Sequence, residues 1–303
     1  MKKTIIVLAL AVAGFAAGAQ TKPSSADSLL NAMSKDTTSD RVTIFKSSRM
    51  VLLQSTEMIK KKNLNFLVIH RFGDFAGANG GGKTYFGLDA VNDVYIGFEY
   101  GVTDNLNIDL GRSTIGGLAD LELKYAFVHQ KTNGGSPVAI TGIAEWGVRP
   151  YRVYASTAAR MSYFAQLLIA RKFGSFLSFQ IAPSYVRNNT PIPLIAGNDK
   201  EFFALASTAR FKLSNRMGFI IDYAHSFSKF ARNAADFSDP LGLGLEIETG
   251  GHVFTINVTN SRAVNEINYL SNGQNTAYGL GQYRLGFTIS RMFDFNGHKK
   301  KDK

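Results

Sequence analysis

The chain has 303 residues, of which 45% are hydrophobic, 12% aromatic and 19% charged, a composition that excludes wholesale disorder. It contains no cysteine, which excludes disulfides, thiolate metal sites and cysteine nucleophiles. The net charge of +11 comes partly from lysine clusters at 60–62 and 299–303, and we interpret it as solvated charge rather than as a sign of nucleic-acid binding. Many aromatic residues, 29 glycines and only 7 prolines favour long strands joined by tight turns.

The N-terminus has the three parts of a secretory signal peptide. Lys2 and Lys3 precede an apolar run at 5–13, and the small residues Ala17 and Ala19 flank the expected cleavage site. We therefore predict a cleaved signal peptide at 1–19 and a mature protein outside the cytoplasm. No later apolar run is long enough for a membrane helix.

Residues 20–62 are predicted to form a periplasmic leader. Its first part, to about residue 40, is rich in Ser, Thr, Asp and Lys and has little periodic apolar content. The pattern at 42–59 is mixed, and it fits either a short helix or an extended chain that lies against or inside a barrel.

From residue 63 onward, apolar and polar residues alternate with the period of a two-faced β-strand. Val94, Ile96 and Phe98 share one face of the clearest example, and Asp93 and Glu99 share the other. About twelve such segments, each near the length that crosses a bilayer, are predicted at 64–73, 91–101, 104–112, 118–130, 137–147, 160–173, 176–187, 201–213, 217–228, 241–249, 252–260 and 281–293.

The connections between these segments alternate between tight turns and longer loops. The turns are predicted at 102–104, 131–136, 174–175, 214–216 and 250–251, and the loops at 74–90, 113–117, 148–159, 188–200, 229–240 and 261–280. This regularity is typical of an outer-membrane barrel, and unpaired strand edges in lipid would cost several kcal/mol per group, so the sheet must close. We predict an all-β, up-and-down transmembrane barrel at 63–295, followed by a basic tail at 296–303.

The polar face of the strands is predicted to line the lumen. The candidate lumen residues are Arg71, Glu99, Asp109, Glu122, Lys124, Arg210, Asp222, Glu246, Glu248 and Arg284. These charges either pair with one another in a filled barrel or line a water-filled pore and set its preference for solute charge. Since about twelve strands make a barrel of intermediate width, we favour the filled or leader-plugged form.

Two sequence features suggest other chemistry and do not have the context that this chemistry needs. Residues 77–84 match G-x-x-x-x-G-K-[ST], but a phosphate-binding loop must open a helix, and here an alternating strand follows. We predict a flexible surface loop and no nucleotide.

His225 lies next to Ser226, so on a strand the two side chains point to opposite faces and cannot form a catalytic pair. The histidines are scattered along the sequence, at His70, His129, His225, His252 and His298. We predict no catalytic residues, no metal site and no cofactor.

Several short motifs resemble a Bacteroidetes-type membrane β-barrel family of unknown function. They are HRFGD at 70–74, FEYGVTD at 98–104, QLLIARKF at 166–173, ETGGHVF at 248–254, TNSR at 259–262 and ISRMF at 289–293. The resemblance covers about 45–293. It implies an outer-membrane location and carries over no catalytic or ligand residue. Many such barrels end on an aromatic residue that the assembly machinery reads, whereas Phe293 and Phe295 precede a basic tail here.

Together these patterns predict a passive narrow pore for small solutes or a structural barrel. Its expected partners are outer-membrane lipid and, during biogenesis, the barrel-assembly machinery, and its oligomeric state is left open. A surface binding module that uses loops 74–90, 188–200 and 261–280 is one alternative. A lipid-active enzyme is the second.

Overall fold

The structure, a computed structural model, describes residues 40–151, 153–190, 199–229, 238–271 and 275–295. The predicted signal peptide at 1–19, the leader up to residue 39 and the basic tail at 296–303 lie outside these residues. In the described part of the chain, no helix combines the length and apolar content needed to cross a membrane.

Twelve antiparallel strands form a closed barrel in which each strand pairs with its sequence neighbours and β1 pairs with β12. This confirms the predicted fold, and the strand ends differ from the prediction by at most three residues. The strands are β1 Asn63–Asp74, β2 Val91–Gly101, β3 Leu106–Ser113, β4 Ala119–Val128, β5 Ala139–Val148, β6 Met161–Phe173, β7 Leu177–Asn188, β8 Glu201–Lys212, β9 Met217–Ser226, β10 Leu241–Thr249, β11 His252–Thr259 and β12 Arg284–Asp294.

On the β3–β4 side of the barrel, the two faces of the wall have opposite character. On β3, the outward Leu110 is 55% exposed while the adjacent Asp109 is 7% exposed, and β4 shows the same inversion between Leu123 at 48% and Glu122 at 4%. An apolar exterior around a charged interior is the reverse of a soluble β-sandwich, because hydrocarbon rather than water must cover the exterior.

The barrel has two different ends. At the short-turn end, connections of two to four residues join β2 to β3, β6 to β7, β8 to β9 and β10 to β11, and a connection of ten residues joins β4 to β5. Both ends of the described chain lie here, since Thr132 N donates to Asp40 O at 3.1 Å and Phe295 N donates to Lys62 O at 3.1 Å. The long-loop end carries the other connections, with 3₁₀ helices at Gly82–Gly87, Ile115–Gly117, Ala158–Arg160 and Tyr278–Leu280.

Two segments that are not strands lie inside the barrel. The first, residues 44–59, enters from the short-turn end, and we call it the plug. It is extended chain with a tight reversal, in which Met50 N donates to Leu53 O at 2.7 Å, so the helical alternative for 42–59 is not what forms. The second, residues 261–271, enters from the long-loop end and contains a short α-helix, α1 at Glu266–Leu270. We call it the inner loop.

Candidate functional site: the closed lumen

The lumen has one apolar wall. Inward positions of β6–β9 are largely apolar or small, and they form a single buried cluster with the plug. The plug contributes Phe45, Met50, Leu52 and Leu53, each 1% exposed or less. Water in an empty lumen would wet this wall, so apolar cover from the plug stabilises the filled barrel.

One carboxylate holds the reversal of the plug. Asp222 Oδ2, on the inward face of β9, accepts the backbone N–H groups of Val51, Leu52 and Leu53 at 2.9, 2.7 and 3.2 Å. Charge-assisted bonds of this kind are stronger than bonds between neutral groups. Asp222 thus satisfies three donors that a tight turn inside a barrel would otherwise leave unpaired.

Further polar contacts fix the plug to other strands. Arg71 Nη2 donates to Val51 O at 2.6 Å, and Ser178 Oγ donates to Ile44 O at 2.6 Å. Gln54 bridges two strands, because its Nε2 donates to Glu122 at 2.5 Å and its O accepts from Gln180 Nε2 at 2.7 Å. The plug is therefore held from several sides.

Two glycines of β10 allow the plug to approach the wall. A Cβ at Gly242 would lie 2.6 Å from one methyl of Val51, and a Cβ at Gly244 would lie 2.5 Å from the other. Real Cβ atoms do not come this close to their neighbours, so the wall needs glycine at both positions. The seated plug thus depends on the Gly-x-Gly spacing of this strand.

Near the short-turn end, the side chain of Glu57 accepts hydrogen bonds from the backbone of the plug itself. Its Oε1 accepts from Ile44 N at 2.8 Å and from Phe45 N at 3.0 Å. Burial nevertheless raises the pKa of Glu57 above its ordinary value.

The opposite wall is acidic. The inward positions of β2–β5, all of them described, carry six buried acids and the single base Lys124. Four of the acids form a row across the sheet, since the register pairs Glu99 with Asp109, Asp109 with Glu122, and Glu122 with Glu145. The six are Asp93, Glu99, Asp109, Asp120, Glu122 and Glu145.

The inner loop closes the lumen from the long-loop end. Val264 N donates to Asp93 at 2.9 Å, Asn265 Nδ2 donates to Glu145 at 2.8 Å, and Ser226 Oγ donates to Leu270 O at 3.0 Å. These contacts reach β2, β5 and β9, so the loop spans the width of the barrel. Asn265 also caps helix α1, because its side chain accepts from Ile267 N.

The plug and the inner loop meet through a buried ion pair. Arg49 Nη1 lies 3.1 Å from Glu266 Oε1 and 3.2 Å from Oε2, and the two side chains are 4% and 0% exposed. The guanidinium also lies over the ring of Tyr95, 5.3 Å from its centroid. Buried pairs of this kind are costly to break because each charge has lost its water.

The ten sequence-predicted residues fall into three groups. Glu99, Asp109, Glu122 and Lys124 lie on the acidic wall, and Arg71 and Asp222 contact the plug. The remaining four form ion pairs nearer the ends: Arg210–Glu246 at 2.5 Å, Lys46–Glu248 at 2.9 Å and Arg284–Asp74 at 2.6 Å.

Sequence reasoning missed several residues of this site. Asp93, Asp120 and Glu145 lie on the same polar face of their strands as the predicted acids, so the alternation in the sequence could have identified them. Arg49 and Glu266 lie outside the strands, where no periodicity marks them.

The side chains considered for catalysis are divided by the wall. His225 is on the outer face, where its Nδ1 lies 2.8 Å from Asp239, and Ser226 points inward to Leu270 O. Among the described residues, no group of three His, Cys, Asp or Glu side chains is placed to hold a metal ion. The end of the 77–84 motif lies in the 3₁₀ helix Gly82–Gly87, in which Tyr85 and Phe86 have positive φ.

The fold is similar to that of solved channels. The COG4313 outer membrane channel from Pseudomonas putida F1 matches with a TM-score of 0.51 and 11% identity, over 80% of this chain and 100% of that one. The NanC porin matches with a TM-score of 0.45 and 10% identity, over 76% and 98% of the two chains. The KdgM porin matches with a TM-score of 0.44 and 6% identity, over 77% and 99%.

At these identities the likeness to the Pseudomonas channel shows the fold alone. No curated protein matches the chain. One family does match, described as "Membrane bound beta barrel domain (DUF5777)", and it covers residues 45–293. Since this match spans the barrel and the plug, the chain belongs to the DUF5777 family of membrane-bound β-barrel domains.

Proposed function

We propose that the protein is a passive outer-membrane pore for small solutes and that the described conformation is its closed state. One observation carries the proposal. The lumen is filled by two separate segments, the plug and the inner loop, and the wall's own side chains do not fill it alone. A barrel that was purely structural would need no such insertion, because its inward side chains could pack against one another.

The closed state is the ground state on physical grounds. Each large apolar side chain that leaves the apolar wall for water costs about 1.5–3 kcal/mol. The contacts that hold the plug are hydrogen bonds, ion pairs and apolar packing, all of which can break and re-form. Opening therefore requires a solute, a partner or a voltage that favours the open state.

The location follows from the same proposal. A cleaved signal peptide at 1–19 would export the chain, and outer-membrane lipid would cover the apolar exterior. The short-turn end would face the periplasm, where the assembly machinery meets the last strand. The Bacteroidetes origin, the loop-binding alternative and the lipid-active enzyme stay predictions.

Planar-bilayer recording tests the proposal. The intact chain is expected to be silent apart from rare openings. The variant Gly242→Val/Gly244→Val, here called the release variant, forces atoms into the space of Val51, and we expect steady current from it. Gly279→Val is the matched control, because no atom lies within 4 Å of a Cβ at that position.

The outcome that contradicts the pore is a folded release variant, identified by its heat-modifiable gel mobility, that stays as silent as the Gly279→Val control. That result would leave a structural barrel.

A further inference from the structure

Arg49 of the plug occupies a setting built for a flat cation. Its Nη1 donates to both oxygens of the Glu266 carboxylate, and Arg49 Cζ lies over the ring of Tyr95, 5.3 Å from the ring centroid. Aromatic faces and carboxylates are the groups with which proteins recognise guanidinium and other organic cations. Arg49 is held there by the plug, which is not part of the barrel wall and enters the lumen from the short-turn end.

The same setting holds carboxylate oxygens that Arg49 does not satisfy. Glu122 and Asp109 line a small cavity of about 10 Å³ together with Arg49, Tyr95 and Glu99. Glu122 is 4% exposed and Asp109 is 7% exposed, and Glu122 Oε1 and Asp109 Oδ1 have no hydrogen-bond partner in the described structure. Buried carboxylate oxygens without partners favour a further cationic group or water beside Arg49.

A further carboxylate of this setting, Glu99, is bound by neutral donors. Ser48 Oγ donates to it at 2.6 Å and Asn65 Nδ2 at 2.7 Å. Ser48 belongs to the plug, so this donor leaves together with Arg49 when the plug leaves. Withdrawal of the plug therefore exposes the carboxylates of Glu99, Glu122 and Glu266 together with the ring of Tyr95.

We propose that Tyr95, Glu99, Glu122 and Glu266 form a binding subsite for guanidinium-type organic cations, which Arg49 occupies in the closed state as a tethered ligand. The open lumen then selects cations. This inference rests on the proposed function for its transport part, whereas binding at the subsite does not depend on conduction. A solute of this class competes with Arg49, so its binding and the release of the plug favour each other.

Chemical rescue tests the subsite on the full chain. Arg49→Ala leaves the carboxylates and the ring of Tyr95 in place and opens a guanidinium-sized space. We expect about 10 mM guanidinium chloride, compared with NaCl at equal ionic strength, to raise the melting temperature of Arg49→Ala by about 3 °C. Wild type, whose site is filled, should show no such rise. Tyr95→Leu in the Arg49→Ala background should abolish the rescue.

Equal responses of wild type and Arg49→Ala to guanidinium would overturn the subsite. Arg187→Ala is the control for loss of an arginine, since that side chain is 53% exposed and lies at the rim.

Ion selectivity gives a second test that does not need Arg49→Ala to fold. Under a KCl gradient, we expect the reversal potential of the release variant to show roughly a five-fold or greater preference for K⁺ over Cl⁻. Glu99→Gln/Glu122→Gln in the same background should lower that preference. If the glycine substitutions prevent folding, Asp222→Ala replaces them as the releasing change, because it removes the acceptor of three plug N–H groups.

The two proposals fail differently. A current without cation preference overturns the selectivity and leaves the pore. Silence of a folded release variant overturns the pore and the selectivity with it, while the rescue experiment still decides the subsite.

Discussion

The ion pair between the plug and the inner loop gives the sharpest stability prediction. Glu266→Gln keeps the size of the side chain and removes the charge that faces Arg49 at 3.1 Å. Arg49 is 4% exposed, so its charge stays buried without a full partner. Leaving one charge of a buried pair uncompensated costs about 3–5 kcal/mol. Because withdrawal of the plug lets Arg49 regain water, the cost falls on the closed state.

The size of the effect on gating follows directly. At about 1.4 kcal/mol per factor of ten, a cost of 3 kcal/mol raises the ratio of open to closed channels about 100-fold. Single-channel recording of Glu266→Gln measures this ratio as open probability. Glu201→Gln is the matched control, because its pair with Arg187 spans 3.9 Å and both side chains are more than half exposed, at 59% and 53%. Such surface pairs contribute at most about 1 kcal/mol.

A double variant separates charge from packing. Arg49→Met/Glu266→Met removes both charges and keeps apolar volume, so it should open less often than Glu266→Gln alone. The reasoning is refuted if Glu266→Gln opens no more often than Glu201→Gln, or if the double variant opens more often than the single one.

Three further predictions concern other parts of the molecule. Asp222→Ala removes the acceptor of three plug N–H groups and should destabilise the seated plug by about 2 kcal/mol, so proteolysis of the plug should accelerate about 25-fold. Asp104→Ala, which removes one exposed acceptor, should not change the rate of proteolysis. Burial, and to a smaller extent nearby positive charges, lower the pKa of His129 below 6.5, so its NMR titration midpoint should lie below that value. Folding stability should therefore fall as the pH drops through 6.5, and a midpoint at or above 6.5 would contradict the burial of His129. Leu110→Arg places a charge on the outer face and should make the free energy of folding into lipid vesicles about 2–4 kcal/mol less favourable. Leu88→Arg, at a similar exposure of 53% on a loop, should be tolerated, and equal folding yields for the two variants would refute the lipid-facing exterior.

The barrel could be predicted from sequence because its wall separates two media. The alternation of apolar and polar residues on β2 and β3 arises because one face meets hydrocarbon and the other meets a polar interior. It predicts the ends of these strands to within a few residues. The same alternation also predicts which face individual residues occupy, and Glu99 and Asp109 lie on the inner face as expected. The turns were visible for a different reason, since positive-φ glycines such as Gly174 and Gly250 mark tight reversals.

The contents of the barrel could not be predicted in the same way. The plug contacts walls on several sides at once, so residues such as Met50 and Gln54 are both buried and leave no period in the sequence. The inner loop is similar, because Glu266 finds its partner 217 residues away in the chain.

One sequence signal for the plug was nevertheless present. On β6 the inward residues Phe164 and Leu168, and on β8 the inward Ala204, are apolar although their outward neighbours are apolar as well. A wall that is apolar on both faces must be covered on the inside. Such strands therefore indicate an inserted segment, even when that segment itself has no regular pattern.

Disulfide trapping tests the central claim most directly. A Cβ at Gly242 would lie 3.2 Å from Val51 Cβ, close to the separation that a disulfide needs. Val51→Cys puts one sulfur in place of the two methyls of Val51, one of which such a Cβ would meet, and the chain has no cysteine of its own. Val51→Cys/Gly242→Cys should cross-link on oxidation and abolish all openings, and reduction should restore them. The pair Val51→Cys/Gly279→Cys should form no cross-link. Failure of the first pair to cross-link in the folded barrel would show that residues 44–59 do not lie against β10, and the closed lumen would be wrong.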